Sequence, residues 1–402
     1  MKYPFVKRIA KNKYYPLAFQ VLGLVVFIAL IADAFIGNQN PAFNIATNIL
    51  WVWWWFFLLL TILVFGRFWC SVCPFGAEGD IVQRFFKGQR KWPSFLKNLW
   101  IVNIFFILFI WVDDVLGIAN NPFQTGIFLL LISFGALLVG LFFERRTFCR
   151  YVCPLNGFIG FNSMSSFFEL RSNNRETCIN HKEKECFNGG SNSKPCPMFE
   201  YVGGMKDNLF CIQCMECAKG CPKNNVGFGF RSFASDLYSN NRKTMEFASS
   251  ALIITALSTV ILFFFHLQLP LPHIESLSIL LIFSIAFLFA IFSLTVFAIS
   301  RIEKINFKNV FSSYAFSLIP LGLLTQIGEA SNYALSKISF VTNIGHSQTA
   351  LIEIFIIFAG FVASFFAGYK INERENHSFT SFILIVLLLF LITSMILYPL
   401  TT

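Results

Sequence analysis

Long apolar runs alternate with short charged connections along most of this chain. Hydrocarbon about 30 Å thick takes roughly 20 helical residues to cross. Stretches of that character lie near residues 17–36, 47–65, 98–117, 125–143, 247–267, 277–299, 310–331, 348–368 and 379–400. Nine membrane-spanning helices are therefore expected. The seventh is the most polar, because Pro320, Gln326 and Glu329 interrupt it. One segment breaks the pattern: residues 162–246 are polar, charged and rich in Asn, Lys and Cys. The pattern predicts a mainly α, polytopic chain in three parts. These are an N-terminal membrane domain of four helices (1–161), an inserted domain (162–246) and a C-terminal membrane domain of five helices (247–402).

Charge gives this arrangement a direction. Of the 31 Lys and Arg residues, all but Lys337 fall at residues 1–16 or in the connections 66–97, 144–246, 300–309 and 369–378. With nine spans these segments share one face. The positive-inside rule makes that face cytoplasmic, in a cell membrane, and puts the C-terminus outside. The net charge of +10 then follows from topology, so lipid rather than nucleic acid is the expected surrounding. The first span follows a basic stretch and carries "IADAFIG", as a secretory signal could. Its apolar run is long for one, so a retained anchor is expected. With 56% apolar and 13% charged residues, a soluble or disordered chain is excluded. The 53 phenylalanines read as lipid-facing residues, and "WVWWW" at 51–55 reads as an interfacial aromatic belt.

Eleven cysteines exceed what packing needs. "CIQCMECAKGCP" sets Cys211, Cys214, Cys217 and Cys221-Pro222 at the C-x2-C-x2-C-x3-C-P spacing of [4Fe–4S] sites. Zinc, the alternative, rarely uses a third C-x2-C step or the trailing proline. In two-cluster domains the fourth cysteine of such a run ligates the other cluster. Cys196-Pro197 then completes the Cys211, Cys214, Cys217 site, while Cys178 and Cys186 join Cys221. That second site is one ligand short. In "CINHKEKECFNGGSNSKPCP", His181 follows Cys178 by three residues, where a second cysteine would stand. A histidine ligand would raise the reduction potential, as it does in Rieske centres. The other reading leaves His181 a solvated loop residue and takes the eighth ligand from elsewhere, such as Cys149 or Cys153. Either way, residues 162–246 predict an α+β two-cluster ferredoxin-like domain on the cytoplasmic side.

"GRFWCSVCPFG" and "RTFCRYVCPLNGFIG" place Cys70, Cys73, Cys149 and Cys153 just past the second and fourth spans, on that same face. Two readings stay open. The four could ligate a third cluster, since eleven cysteines and His181 fill three four-ligand sites. They could instead be packing or redox thiols, a stable disulfide being disfavoured in the cytoplasm.

These two loops, with "CPMFEY" and "MKDNLFCIQCMECAKGCPKNNVGF", resemble the membrane-bound polyferredoxins of the NapH/NosR type over about residues 45–235. The resemblance implies two [4Fe–4S] clusters and electron exchange with the quinone pool or a redox partner protein. It implies ligation by Cys211, Cys214, Cys217, Cys221 and Cys196, then by Cys178 and Cys186. The first Cys-Pro loop departs from the family's C-x3-C-P by one residue. The five C-terminal helices exceed the smaller members, and an extracytoplasmic flavin domain is absent.

Polar residues collect towards the outer face: Asp33, Asp113, Asp114, His266, His273, Glu329, His346 and Glu353. Ionisable groups within spans are costly and point to function. Glu329 and Glu353 could accept quinol protons or line a small-ligand path, or they could be solvated helix ends. No nucleotide-binding or Ser-His-Asp pattern is present. The expected function is electron transfer between the quinone pool or a cytoplasmic donor and a respiratory reductase or its accessory partner. A quinol dehydrogenase-like subunit is a narrower form of that expectation, an electron carrier the broader one. The alternative is a metal-handling permease, or a maturation or regulatory factor using its clusters as a redox sensor.

Overall fold

The computed structural model describes residue 12 and residues 14–86, 90–239, 242–265, 273–342 and 346–401. In chain order the principal elements begin with α1 (Leu17–Ile36), α2 (Trp55–Phe65), α3 (Phe68–Val72), α4 (Pro74–Phe85), α5 (Trp100–Leu116), α6 (Pro122–Phe142) and α7 (Leu155–Ser163). Strands β1 (Phe168–Ser172) and β2 (Val226–Phe230) bracket the cysteine-rich segment. Then come α8 (Met245–Ser258), α9 (Val260–Phe265), α10 (His273–Glu303), α11 (Phe307–Tyr314), α12 (Ile319–Thr342), α13 (His346–Glu375) and α14 (Phe379–Thr401).

Among the described residues, eight helical stretches are long and apolar enough to cross a membrane. They match the expected spans except the third. There α5 has 17 residues and ends in Asp113, Asp114, Val115 and Leu116, at the short limit of a crossing helix. The aromatic "WVWWW" lies mostly in a π-helical turn, Asn48–Trp54, that leads into α2. His266 lies outside the described residues.

The described chain falls into two compact units. The first comprises residues up to Asn48, Thr61–Val102 and Ile118–Phe233; the second Ile49–Leu60, Asn103–Gly117 and Ala234–Thr402.

In the first unit, α6 packs on α4 and α1. Its start is set chemically: Pro122 opens it and the Asn121 side chain accepts from the Gln124 N–H, a good N-terminal cap. Where α4 and α6 meet, a methyl on Gly140 would stand 3.3 Å from the Cα of Gly79, so two small residues let the backbones close up. Asp33, one of the outer polar residues, accepts from the Ala46 N–H at 2.8 Å and so tethers the turn after α1. Strands β1 and β2 pair antiparallel, with Phe168 opposite Phe230, Leu170 opposite Phe228 and Ser172 opposite Val226. Leu170, Val226 and Phe228 form a core with Val202, Met215, Cys178 and Cys211.

In the second unit, the most polar span is also the most enclosed. Over Phe307–Lys337 the apolar window is 89% buried, against 33% for Leu277–Glu303 and 28% for Ser347–Glu375. A 3₁₀ turn at Ala315–Leu318 separates α11 from α12, just before Pro320. Proline cannot donate an N–H to a continuous helix, which accounts for the break.

Candidate iron–sulfur centre

The first unit gathers all eleven cysteines. Two Cys-Pro loops form the membrane-end group. Their spacings differ by one residue, yet their last cysteines have nearly the same backbone, φ −57° and ψ 134° at Cys73 and φ −55° and ψ 121° at Cys153. A residue before proline is driven to such extended geometry. The extra residue of the second loop is taken up by a π-turn, Phe148–Val152, in which the Cys153 N–H donates to Phe148 O at 2.8 Å. The first loop uses a single α-turn, α3. A shorter spacing therefore does not prevent the two loops from matching.

Ionising Cys73, Cys149 and Cys153 together is costly. Burial pushes Cys73 up to about 12, with Cys149 and Cys70 adding to the rise. Cys149 and Cys153 are also raised, first by burial; Cys153 is then raised by Cys149, Cys73 and Cys70. Such a group ionises fully only if a positive core is supplied, and metal binding does this by displacing protons. Two arginines flank it. Arg146 bonds Asp80 through two nitrogens at 3.1 and 2.7 Å, donates to Cys70 O at 2.9 Å and reaches Cys149 Sγ at 4.0 Å. Burial penalises the Asp80 charge, yet the Arg146 guanidinium holds that carboxyl below the usual carboxylate range. Arg67, 1% exposed, donates to Asn156 Oδ1 at 2.7 Å and to Leu209 O, and lies 3.8 Å from Cys70 Sγ.

The ferredoxin-like segment supplies two more groups. Cys196, Cys211, Cys214 and Cys217 line one cavity, of about 380 Å³ with its open mouth. Burial and then Cys196 push Cys214 up to about 12. Cys178, Cys186, Cys221 and His181 line another, of about 330 Å³ with its open mouth. Burial and then Cys178 and Cys221 push Cys186 up to about 11. Both sets pair three positions of one run with the last cysteine of the other. Among the described residues, no three His, Cys, Asp or Glu side chains converge on a point fit for a single metal ion. The thiols ring a space instead, which suits ligands at the corners of a cluster.

The groups are linked. Leu209, bonded by Arg67, lies two residues before Cys211. Gln213, between Cys211 and Cys214, donates to Phe65 O at the end of α2. Tyr15 donates to Gln213 O at 3.0 Å and lies 3.4 Å from Ser71 Oγ, inside the first Cys-Pro loop. Arg145 donates to Pro195 O at 2.6 Å, next to Cys196. On the far side, Cys217 lies close enough to Cys186 to feel its charge. The order is membrane-end group, Cys211 group, Cys178 group.

Sequence reasoning placed the cysteines but passed over Arg67, Asp80, Arg146, Tyr15, Gln213 and Asn225. The two arginines stand three residues before Cys70 and three before Cys149, where they are indistinguishable from the other basic residues of that face. Asn225 donates from its side chain to Cys178 Sγ at 3.1 Å and from its backbone to Cys221 Sγ at 3.2 Å. In the second unit, Glu353 accepts from Asn332 Nδ2 at 2.6 Å, and Gln326 lies 3.4 Å from Glu329.

Residues 47–93 and 125–165 match the 4Fe–4S binding domain family. These stretches contain Cys70, Cys73, Cys149 and Cys153 rather than the ferredoxin-like run. Three relatives stand out. The uncharacterized protein MJ0750 of Methanocaldococcus jannaschii is 33% identical over 29% of this chain and 43% of its own length. MJ0749, an uncharacterized protein of the same organism, is 24% identical over 56% of this chain and 87% of its own length. YccM of Escherichia coli strain K12, by name a candidate electron transport protein, is 32% identical over 33% of this chain and 34% of its own length. The chain thus spans less than half of the first and third. No solved structure matches. The domain match supports iron–sulfur binding by this chain.

Proposed function

We propose that the chain is a membrane-anchored relay with three [4Fe–4S] sites, passing electrons between the quinone pool and a redox partner at the cytoplasmic face. One observation carries the reading: eleven cysteines from distant parts of the sequence collect in one unit as three groups, two of four and one of three. The match of both Cys-Pro loops to a 4Fe–4S binding domain favours cluster ligation by Cys70, Cys73, Cys149 and Cys153 over the thiol reading. A bound cluster supplies one-electron storage at each site. The chain supplies the rest. Arg67 and Arg146 offset negative charge at the membrane-end site, and Cys178 and Cys211 are buried at the other two. Arg67, Gln213 and Tyr15 hold the second site at a fixed distance from the first. Clusters held by these side chains would supply one-electron chemistry between quinol, whose oxidation to quinone releases two electrons and two protons, and the partner, a respiratory reductase or its accessory subunit.

A second reading, ion or proton handling with the clusters as sensor, rests on α12, where polar side chains are enclosed within the second unit. Ionisable groups so placed point to function. Adding a quinol analogue to the anaerobic, oxidised protein separates the two. The relay reading expects reduction of the clusters, followed by their absorbance and paramagnetic signals. Failure of quinol to reduce any cluster at any potential counts against it.

A further inference from the structure

The two halves of the ferredoxin-like segment repeat one backbone design. Lys184 adopts a left-handed conformation (φ 47°) and caps a one-turn helix, Glu185–Asn188, with Cys186 at its second position. Met215 does the same (φ 61°), capping Glu216–Lys219 with Cys217 at its second position. A non-glycine residue in that region is uncommon, so two at equivalent points are a matched pair. The trailing cysteines match as well: Cys196 Sγ accepts from the N–H of Glu200 at 3.4 Å, and Cys221 Sγ from that of Asn225 at 3.2 Å, each four residues on and each after a Cys-Pro step. These features match Cys186 with Cys217 and Cys196 with Cys221. By its two-residue spacing, Cys178 then pairs with Cys211 and His181 with Cys214.

We infer that His181 is the fourth ligand of the Cys178, Cys186, Cys221 site, an inference that rests on the iron–sulfur reading above. Its side chain lines the same cavity as those three thiols. Its Nε2 lies 3.0 Å from Glu183 Oε2. A ligating histidine usually donates its other ring N–H to a carboxylate, which fixes the tautomer. With Nε2–H donating to Glu183, Nδ1 is the nitrogen left to bind iron. Glu183 is a positioning residue. Four residues separate His181 from Cys186, against two between Cys214 and Cys217, and the longer spacer gives that carboxylate its place.

The substitution has a functional consequence. A neutral imidazole replaces an anionic thiolate, so this site carries less negative charge than its twin and a higher reduction potential, as in Rieske centres. In the order set by the contacts it is also the site furthest from the membrane-end group. Electrons entering from the membrane would then run to it, and the partner would dock beside it.

The test is made on the full chain, purified anaerobically with nitrogen-15 histidine and reduced stepwise. Pulsed EPR should find a directly bound nitrogen on one cluster, the one reduced at the highest potential. His181→Cys should keep all clusters, lose that nitrogen coupling and lower that one potential. His181→Ala should lose the same cluster or convert it to a three-iron form, with the other signals unchanged. Glu183→Gln should retain the cluster and change the nitrogen coupling. If the wild type holds its full iron without a bound nitrogen, or if His181→Ala leaves every signal and potential in place, His181 is no ligand. A protein with no iron–sulfur signal at all overturns the wider reading with it.

Discussion

Asp80 and Arg146 meet across 66 residues of sequence, and both side chains are enclosed, 8% and 2% exposed. Charges so placed are kept because each neutralises the other; removing one strands its partner at a cost of about 3–5 kcal/mol. Asp80→Asn should therefore destabilise the first unit by that order in denaturant unfolding, and should loosen the membrane-end group through Arg146. The pH dependence has a definite sign. The folded Asp80 carboxyl titrates below its ordinary value, so the pair's contribution is complete above about pH 4 and fades as pH falls through the lower, folded value. The variant should lack that acid-side loss. Nothing local in the sequence announced this pair. "EGDIV" and "ERRTFC" read as ordinary polar stretches at a membrane surface, because pairing at long range leaves no trace in spacing. The cysteines were legible for the opposite reason: wrapping a cluster demands fixed short spacers, which survive as text.

Two glycines show how closely the elements of the first unit approach, and they separate the sites experimentally. A methyl on Gly160, in α7, would stand 2.9 Å from Leu209 O and 3.2 Å from an Arg67 nitrogen. Gly160→Ala should cost about 1–3 kcal/mol, as overpacking does, and should slow electron exchange between the membrane-end and Cys211 groups in stopped-flow reduction, with iron content retained. A methyl on Gly203 would stand 2.6 Å from the Cys178 Cβ. Gly203→Ala should perturb the EPR signal of the Cys178 site and leave the other two unchanged. The elements themselves were largely readable from hydropathy, because a helix facing lipid must be apolar along its length. The third span was read too long: its last turn carries Asp113 and Asp114, and α5 stops at 17 residues. The one-residue difference between the Cys-Pro loops looked like a departure from pattern, since a π-turn that absorbs it is invisible in spacing.

At the scale of the molecule, hydropathy divided the chain by order along the sequence, whereas the second unit draws Ile49–Leu60 and Asn103–Gly117 to the C-terminal helices. That association depends on which helix faces fit together, and lipid-facing and protein-facing residues are equally apolar, so composition carries no signal for it. The polarity of the seventh span did carry one. Its polar residues are tolerable because α12 is enclosed by other helices. The proposed sites draw on separate sets of side chains within the first unit, so loss of any one should leave the other two assembled. Replacing Cys70 and Cys149 together by Ala should remove about four irons per chain and abolish reduction by a quinol analogue, while dithionite still reduces the two ferredoxin-like sites.

The most direct test is a count of iron and acid-labile sulfide in the anaerobically purified full chain, with EPR spin integration on reduction. Three sites predict about twelve irons, as many sulfides and about three spins per chain. Zinc in place of iron, with no paramagnetic signal on reduction, would contradict the account.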